Sequence, residues 1–308
     1  MTIKEKLVLI KRLSGKTQEK LAVDFGVSFP TLNSWILGKS IPRKNAEDKI
    51  NEVFLRWTGQ NLIPQELLTA KKQAILNKRK VHSGILNILN SRKDIYEQFL
   101  LSLTYNTNRI EGSTLTEPET AAILFQNTAL PNKSLTEHLE VKNHQAALNV
   151  VLRALSVQKP IGEELILKIH GVLMNGIFDN AGQYRNHGVR ILGVNLPTAK
   201  HLKVPALMKD LVKKIASARG EPIALAAHAH SRFEQIHPFS DGNGRVGRLI
   251  LAAMLIKQDI APAIIQQEKR RFYILYLNQS QTMNDSSRWE DFLCDGILAG
   301  YDILQTDH

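Results

Sequence analysis

The chain has 308 residues, 43% of them hydrophobic, enough for a sizeable core and for more than one domain. No apolar run reaches the length of a bilayer span, and the opening MTIKEKLVLIKRLSG lacks the unbroken apolar stretch of a signal peptide. A cytoplasmic protein with no membrane partner is expected. Net charge is +11, of which residues 1–80 supply +9, so the excess suggests an N-terminal footprint for a polyanion.

Helical periodicity dominates the chain, so the fold class is mainly α. Residues 3–13 (IKEKLVLIKRL) form an amphipathic helix that stops at Ser14-Gly15. Thr17 caps a second, which stops at Gly26, and Ser28 or Thr31 opens a third through Trp35. Ile41-Pro42 breaks the chain before AEDKINEVFLRW. Short helices with a glycine turn between the second and third make a helix-turn-helix arrangement over residues 1–57. The string SGKTQEKLAVDFGVSFPTLNSWILGKSIP resembles the Cro/C1-type DNA-binding family at Thr17-Gln18, Leu21-Ala22, Gly26-Val27-Ser28, Trp35, Gly38-Lys39 and Pro42. That resemblance implies a third helix in the major groove, with Phe29, Thr31 and Asn33 as base readers. Gln18, Lys39 and Arg43 would sit near phosphates. A protein-docking module of the same shape is the rival.

Residues 58–95 read as a basic helical connection, and residues 96–308 as a further helical domain. Its one interruption, GVRILGVNLPTAKH over 188–201, is rich in β-branched residues, Gly and Pro and predicts a short β-hairpin. The lone cysteine, Cys294, lies in an amphipathic pattern and is expected in the core. His228 and His230 are two apart, which on a helix sends them to different faces rather than to one metal. His170 heads an apolar helix face and is expected to be structural.

The segment that carries chemistry is HAHSRFEQIHPFSDGNGRVGRLILAAML, residues 228–255. Gly242-Asn243-Gly244 can turn successive backbone N–H groups into one concavity. The helix that follows places its N-terminus there, where an anion is favoured. Arg245 and Arg248, three apart, project from its first turn. A glycine nest, a helix N-terminus and two guanidinium groups fit an oligophosphate. Asp241 brings the wrong charge to such a site, which implies Mg²⁺ shared between its carboxylate and phosphate oxygens. His237 can point into the same pocket, where an imidazole can take a proton from an attacking hydroxyl.

HPFSDGNGR with the further Arg248 resembles the signature of the Fic family, HPFx[D/E]GNGRxxR. HGVLM at 170–174, AGQYRNHGV at 181–189, and Tyr273, Leu277 and Trp289 fit the family's flanking elements. The resemblance implies an all-helical core with one hairpin flap, preceded here by the helix-turn-helix. It makes His237 the general base and Asp241 the Mg²⁺ ligand. Gly242, Asn243 and Gly244 would bind the α- and β-phosphates of ATP, and Arg245 and Arg248 the outer phosphates. Phe239 would anchor the loop in the core. Ile274 and Gln281 stand where Tyr and Asn often line the adenine, so the phosphate chemistry is better specified than the base.

Residues 107–112, Thr-Asn-Arg-Ile-Glu-Gly, resemble the family's inhibitory pattern [S/T]xxxE[G/N]. By that resemblance a helix around 100–112 carries Glu111 to Arg248, the partner that an outer phosphate needs. The expected function is therefore a self-restrained protein adenylyltransferase, with ATP and Mg²⁺, acting on a target protein hydroxyl (Ser, Thr or Tyr). Rival readings are a DNA-binding transcriptional regulator that senses nucleotide, and a de-AMPylase using the same pocket. Partners would be the target protein, DNA through residues 1–57, and a second copy of the chain in a homo-oligomer.

Overall fold

A computed structural model describes residues 2–58, 63–189, 198–217, 219–282 and 285–305, with the side chains of 56 and 58 excepted. The chain divides into two compact units, Met1–Ile63 and Pro64–His308.

In the first unit α1 (Ile3–Ser14), α2 (Gln18–Phe25), α3 (Phe29–Leu37) and α4 (Lys44–Thr58) surround one core. Thr2, Thr17 and Ser28 cap the first three by accepting from backbone N–H groups inside the helix, and Gly15, Gly26 and Gly38 end them in the left-handed conformation. Leu7, Ile10, Leu21, Leu32 and Ile50 are at most 1% exposed, so the predicted apolar faces meet one another. Phe29, Lys39 and Arg43 are exposed; Gln18, Thr31 and Asn33 are half-buried. Thr31 also spends its hydroxyl on the Ser28 hydroxyl at 2.8 Å, at the cap of α3.

The second unit begins with α5 (Gln65–Val81) and α6 (Ile85–Ser91). The stretch 58–95, read as a connection, thus supplies two helices of this unit's own packing. α5 lies on the last helix, α15 (Ser287–Leu304), through Lys71–Asp291 at 2.6 Å and Lys72–Glu290 at 2.5 Å. Two of the charges that made residues 1–80 so basic are therefore neutralised within the fold. Residues 1–63 alone carry eleven Lys and Arg against six Asp and Glu.

Next come α7 (Lys93–Glu111), α8 (Glu117–Gln126), α9 (Leu135–Ser156) and α10 (Glu163–Leu173). α11 (Val204–Ser217), α12 (Pro222–Ile236), α13 (Asn243–Lys257) and α14 (Arg270–Thr282) complete the unit. The antiparallel pair α12 and α13 runs through the middle, with α7, α9 and α10 against α13 and α14 and α15 against α12. Leu249, Ile250, Leu251, Ala252, Ala253 and Leu255 are all 2% exposed or less, so α13 is apolar nearly all round because it is buried nearly all round. Cys294 is 0% exposed, as its pattern predicted. Of the hairpin expected over 188–201, residues 190–197 lie outside the described residues; among those described there is no strand. No described helix is long and apolar enough to cross a membrane.

Candidate active site

The loop between α12 and α13 is held from below by apolar and amide contacts. Phe239 is 0% exposed and stacks on His170, ring centres 3.7 Å apart and planes within 3°. His170 accepts from the Gly182 N–H at 2.8 Å on Nδ1, so its proton is on Nε2, which donates to the Asp241 carbonyl at 3.2 Å. Burial drives its pKa down to about 4, which keeps it neutral. Gly242 has φ +76°, and a Cβ there would lie 2.7 Å from Met174 Sδ; both the turn and the contact call for glycine.

The Asn243 side chain serves the loop itself. Its Oδ1 accepts from the Phe239 N–H at 2.8 Å and its Nδ2 donates to the Phe239 carbonyl at 2.9 Å, with 2% exposure. The side chain staples the loop and is not on the cavity wall. Arg245 is likewise engaged within the protein. It is 3% exposed, donates to Glu140 Oε1 at 2.7 Å, and lies 3.6 Å from Asp241 Oδ2. The Glu140 bond holds this guanidinium inside the protein, where it braces the loop, although its buried Nε has no hydrogen-bond partner.

The cavity itself, about 390 Å³, brings His237, Asp241, Gly244, Arg248 and Glu111 together. Ile110, Ile274 and Leu277 add apolar lining, and Asn278 and Gln281 polar lining. His237 ends α12 in the left-handed conformation, φ +51° and ψ +63°, which costs a non-glycine residue about 1–2 kcal/mol. Its Nδ1 faces the Glu234 carbonyl at 3.3 Å; a carbonyl only accepts, so Nδ1 carries the proton and Nε2 is the free base. Burial lowers its pKa to about 4, so it is neutral and ready to accept a proton at physiological pH.

Arg248 makes the central contact. Its Nε donates to Thr107 Oγ1 at 2.6 Å, its Nη2 to Glu111 Oε1 at 2.5 Å, and its Nη1 to the Tyr273 hydroxyl at 3.4 Å. Tyr273 in turn donates to His230 Nε2 at 2.8 Å, since His230 Nδ1 gives its proton to the Gly247 carbonyl at 3.0 Å. His230 is thus buried and structural, while His228 is exposed: the two histidines do part as their spacing predicts. Glu111 is the last residue of α7, and its carboxylate sits so close to Gly244 that any Cβ there would collide with it. Desolvation pushes the Glu111 carboxyl up, but the charge and hydrogen bond of Arg248 outweigh it, and the net shift is downward.

Several site residues were not legible as such in the sequence. Glu140 and Arg185 act through partners far away in the chain, Thr107 belongs to the inhibitory string but its contact to Arg248 did not show there, and Glu234 stands three residues before His237. Glu234 has its Oε2 4.0 Å from His237 Nδ1 and a buried Oε1 without a hydrogen-bond partner. Burial pushes its carboxyl up to about 8.

The loop, the helix N-terminus and the arginine behind it lie within one matched segment. The family that this segment matches is Fic/DOC. Residues 160–255 match that family's model. Curated Fic relatives extend the similarity beyond that segment. The chain is 33% identical over 213 residues to "Protein adenylyltransferase Fic" of Nematostella vectensis, covering 65% of this chain and 47% of that protein. It is 34% identical over 192 residues to "Protein adenylyltransferase fic-1" of Caenorhabditis briggsae, covering 61% and 38%. The chain thus spans about half the length, or less, of these curated relatives. The Fic fold is shared with a Fic-domain signalling protein of Bacteroides thetaiotaomicron, at a TM-score of 0.67 and 24% identity, over 75% of this chain and 95% of that one. Fic-1 of C. elegans aligns at a TM-score of 0.65 and 22% identity, over 93% and 83%.

Proposed function

We propose that this protein is a protein adenylyltransferase that moves AMP from ATP to a hydroxyl of a target protein, and that Glu111 restrains it. One observation carries the reading. A carboxylate, Glu111, is seated at the N-terminus of α13 on the Arg248 guanidinium, in the same cavity as the free Nε2 of His237. Those carboxylate oxygens stand where phosphate oxygens of a nucleotide would be received. The names of the relatives, all protein adenylyltransferases, support the same chemistry.

In the reaction the target's hydroxyl oxygen forms a bond to the α-phosphorus as the bond to pyrophosphate breaks. His237 Nε2 takes the hydroxyl proton. Arg248 receives the outer phosphates once Glu111 has left, and the amides at the start of α13 face the inner ones. The apolar lining of the cavity takes the base. Among the described residues no group of three or more His, Cys, Asp or Glu exists to cage a metal. Asp241, with its side chain 51% exposed at the loop tip, fits the other mode, one carboxylate shared with substrate phosphates. When bound, Mg²⁺ there neutralises phosphate charge.

Residues 1–57 are proposed to bind DNA as a helix-turn-helix. The support is the left-handed turn at Gly26 between α2 and α3 and the exposure of Lys39 and Arg43 beside that turn's helices. Incubation of the full chain with labelled ATP and Mg²⁺, beside Glu111→Gly, tests the catalytic reading. Label covalently attached to protein in the variant supports it; nucleotide bound by the variant with no covalent label in any lysate overturns it.

A further inference from the structure

Arg185 lies between α10 and α11, 3% exposed, with no carboxylate partner among the described residues. Its guanidinium is instead spent on main-chain carbonyls. Nε donates to His237 at 2.7 Å, Nη1 to His187 at 2.7 Å, and Nη2 to Ala199 at 2.5 Å and to Ile236 at 3.4 Å. Its own N–H donates to the Pro238 carbonyl at 3.0 Å. One side chain therefore binds carbonyls on three separate stretches of chain. Two of those stretches, at His187 and Ala199, are remote in sequence from the third. The third is the turn that carries the catalytic imidazole, where His237 holds a left-handed conformation that favours glycine.

We propose that Arg185 is a positioning residue for His237: its guanidinium holds the turn at 236–238 in the conformation that aims the imidazole, and ties that turn to His187 and Ala199. The fork of a guanidinium matters here. It presents fixed donors in several directions of one plane, whereas an ammonium offers three from one point. A buried cation solvated by carbonyl dipoles also has no carboxylate to follow, so its place is set by the backbone it binds. Arg185 reaches no part of the cavity wall and acts on the reaction through His237 alone.

The inference rests on the adenylyltransferase reading for its activity arm, and has a second arm that does not. Hydrogen exchange on the full chain compares the wild type with Arg185→Lys and Arg185→Ala. Protection is expected to fall together at residues 185–189, 199–201 and 236–239 in both variants, with α9 and α13 unchanged. In the Glu111→Gly background, AMP transfer should fall about a hundredfold, the scale on which a misplaced catalytic group costs rate. Binding of Mg·ATP, measured by calorimetry, should stay within about threefold. Millimolar guanidinium should return part of the lost rate to Arg185→Ala. Should that variant not fold, Arg185→Lys, which keeps the charge and the stem, carries the test. Unchanged exchange at 236–239, or a loss of nucleotide affinity in step with turnover, overturns the proposal. Failure of the adenylyltransferase reading shows separately, as no AMP transfer by Glu111→Gly with Arg185 intact, and leaves the exchange result standing.

Discussion

Thr107 holds Arg248 by two contacts, Oγ1 to Nε at 2.6 Å and its carbonyl to Nη2 at 3.3 Å, one helical turn before Glu111 takes the same Nη2. The arginine is thus anchored independently of the carboxylate that blocks it. Glu111→Gly should leave Arg248 in place and open the seat over Gly244. Covalent labelling should rise about tenfold or more, equivalent to roughly 1.4 kcal/mol. Adding Arg248→Ala should cancel the gain, because the outer phosphates then lose their partner. Labelling by gel autoradiography checks both; a rise that survives Arg248→Ala would assign the effect to loosening of α7.

Thr107→Val keeps the shape of the helix and removes the oxygen that Arg248 Nε uses. A buried charged donor left without a partner costs about 1–3 kcal/mol. The variant should melt lower, and in the Glu111→Gly background it should bind ATP more weakly. Thermal unfolding and calorimetry on the same samples read the two effects.

His237→Ala removes the free Nε2 and leaves Asp241, Gly244 and Arg248 untouched. Transfer should fall by roughly 10²–10⁴ while nucleotide affinity is kept. Labelling that stays within about tenfold of the parent would mean that another group takes the proton.

Glu234 and His237 give opposite slopes of stability with pH. The His237 pKa falls from 6.5 to about 4 on folding, because burial disfavours the imidazolium. The unfolded chain binds the extra proton between those values, so this group makes stability rise with pH from about 4 to 6.5. Glu234 goes from 4.5 to about 8, again by burial, so the folded chain holds the extra proton and its contribution is lost as pH rises through that window. From pH 6.5 to 8 only the second slope remains of this pair. Glu234→Gln should therefore flatten the fall in melting temperature over that interval; an equal fall in both proteins would place the titration elsewhere.

DNA binding through residues 1–57 carries a salt dependence that can be measured. Binding of the full chain to duplex DNA should weaken steeply with salt, and Lys39→Glu or Arg43→Glu should lower the slope of log K against log salt by about 0.9 for each phosphate no longer neutralised. Fluorescence anisotropy at several salt concentrations measures the slope. Slopes unchanged in both variants would move the DNA interface off α3 and the segment after it.

The sequence by itself determined the elements and the loop. Caps such as Thr17 and Ser28, the glycine stops and the run from Val246 to Leu255 are local signals, and the structure keeps them because tertiary packing has no cause to oppose them. Asp241, His237 and Arg248 could likewise be read as one constellation, since a turn and the first turn of a helix fix them within twelve residues. Only the tertiary structure decided which polar groups serve the cavity and which serve the loop. Asn243 and Arg245 share the motif's string, yet Phe239 and Glu140 engage them inside the protein, because a buried amide or guanidinium takes its hydrogen bonds from whatever is packed nearest. Arg185 is the converse case. Its four carbonyl partners come from three stretches of chain, and backbone carbonyls are the same in every sequence, so no pattern of side chains announces where a fold will gather them.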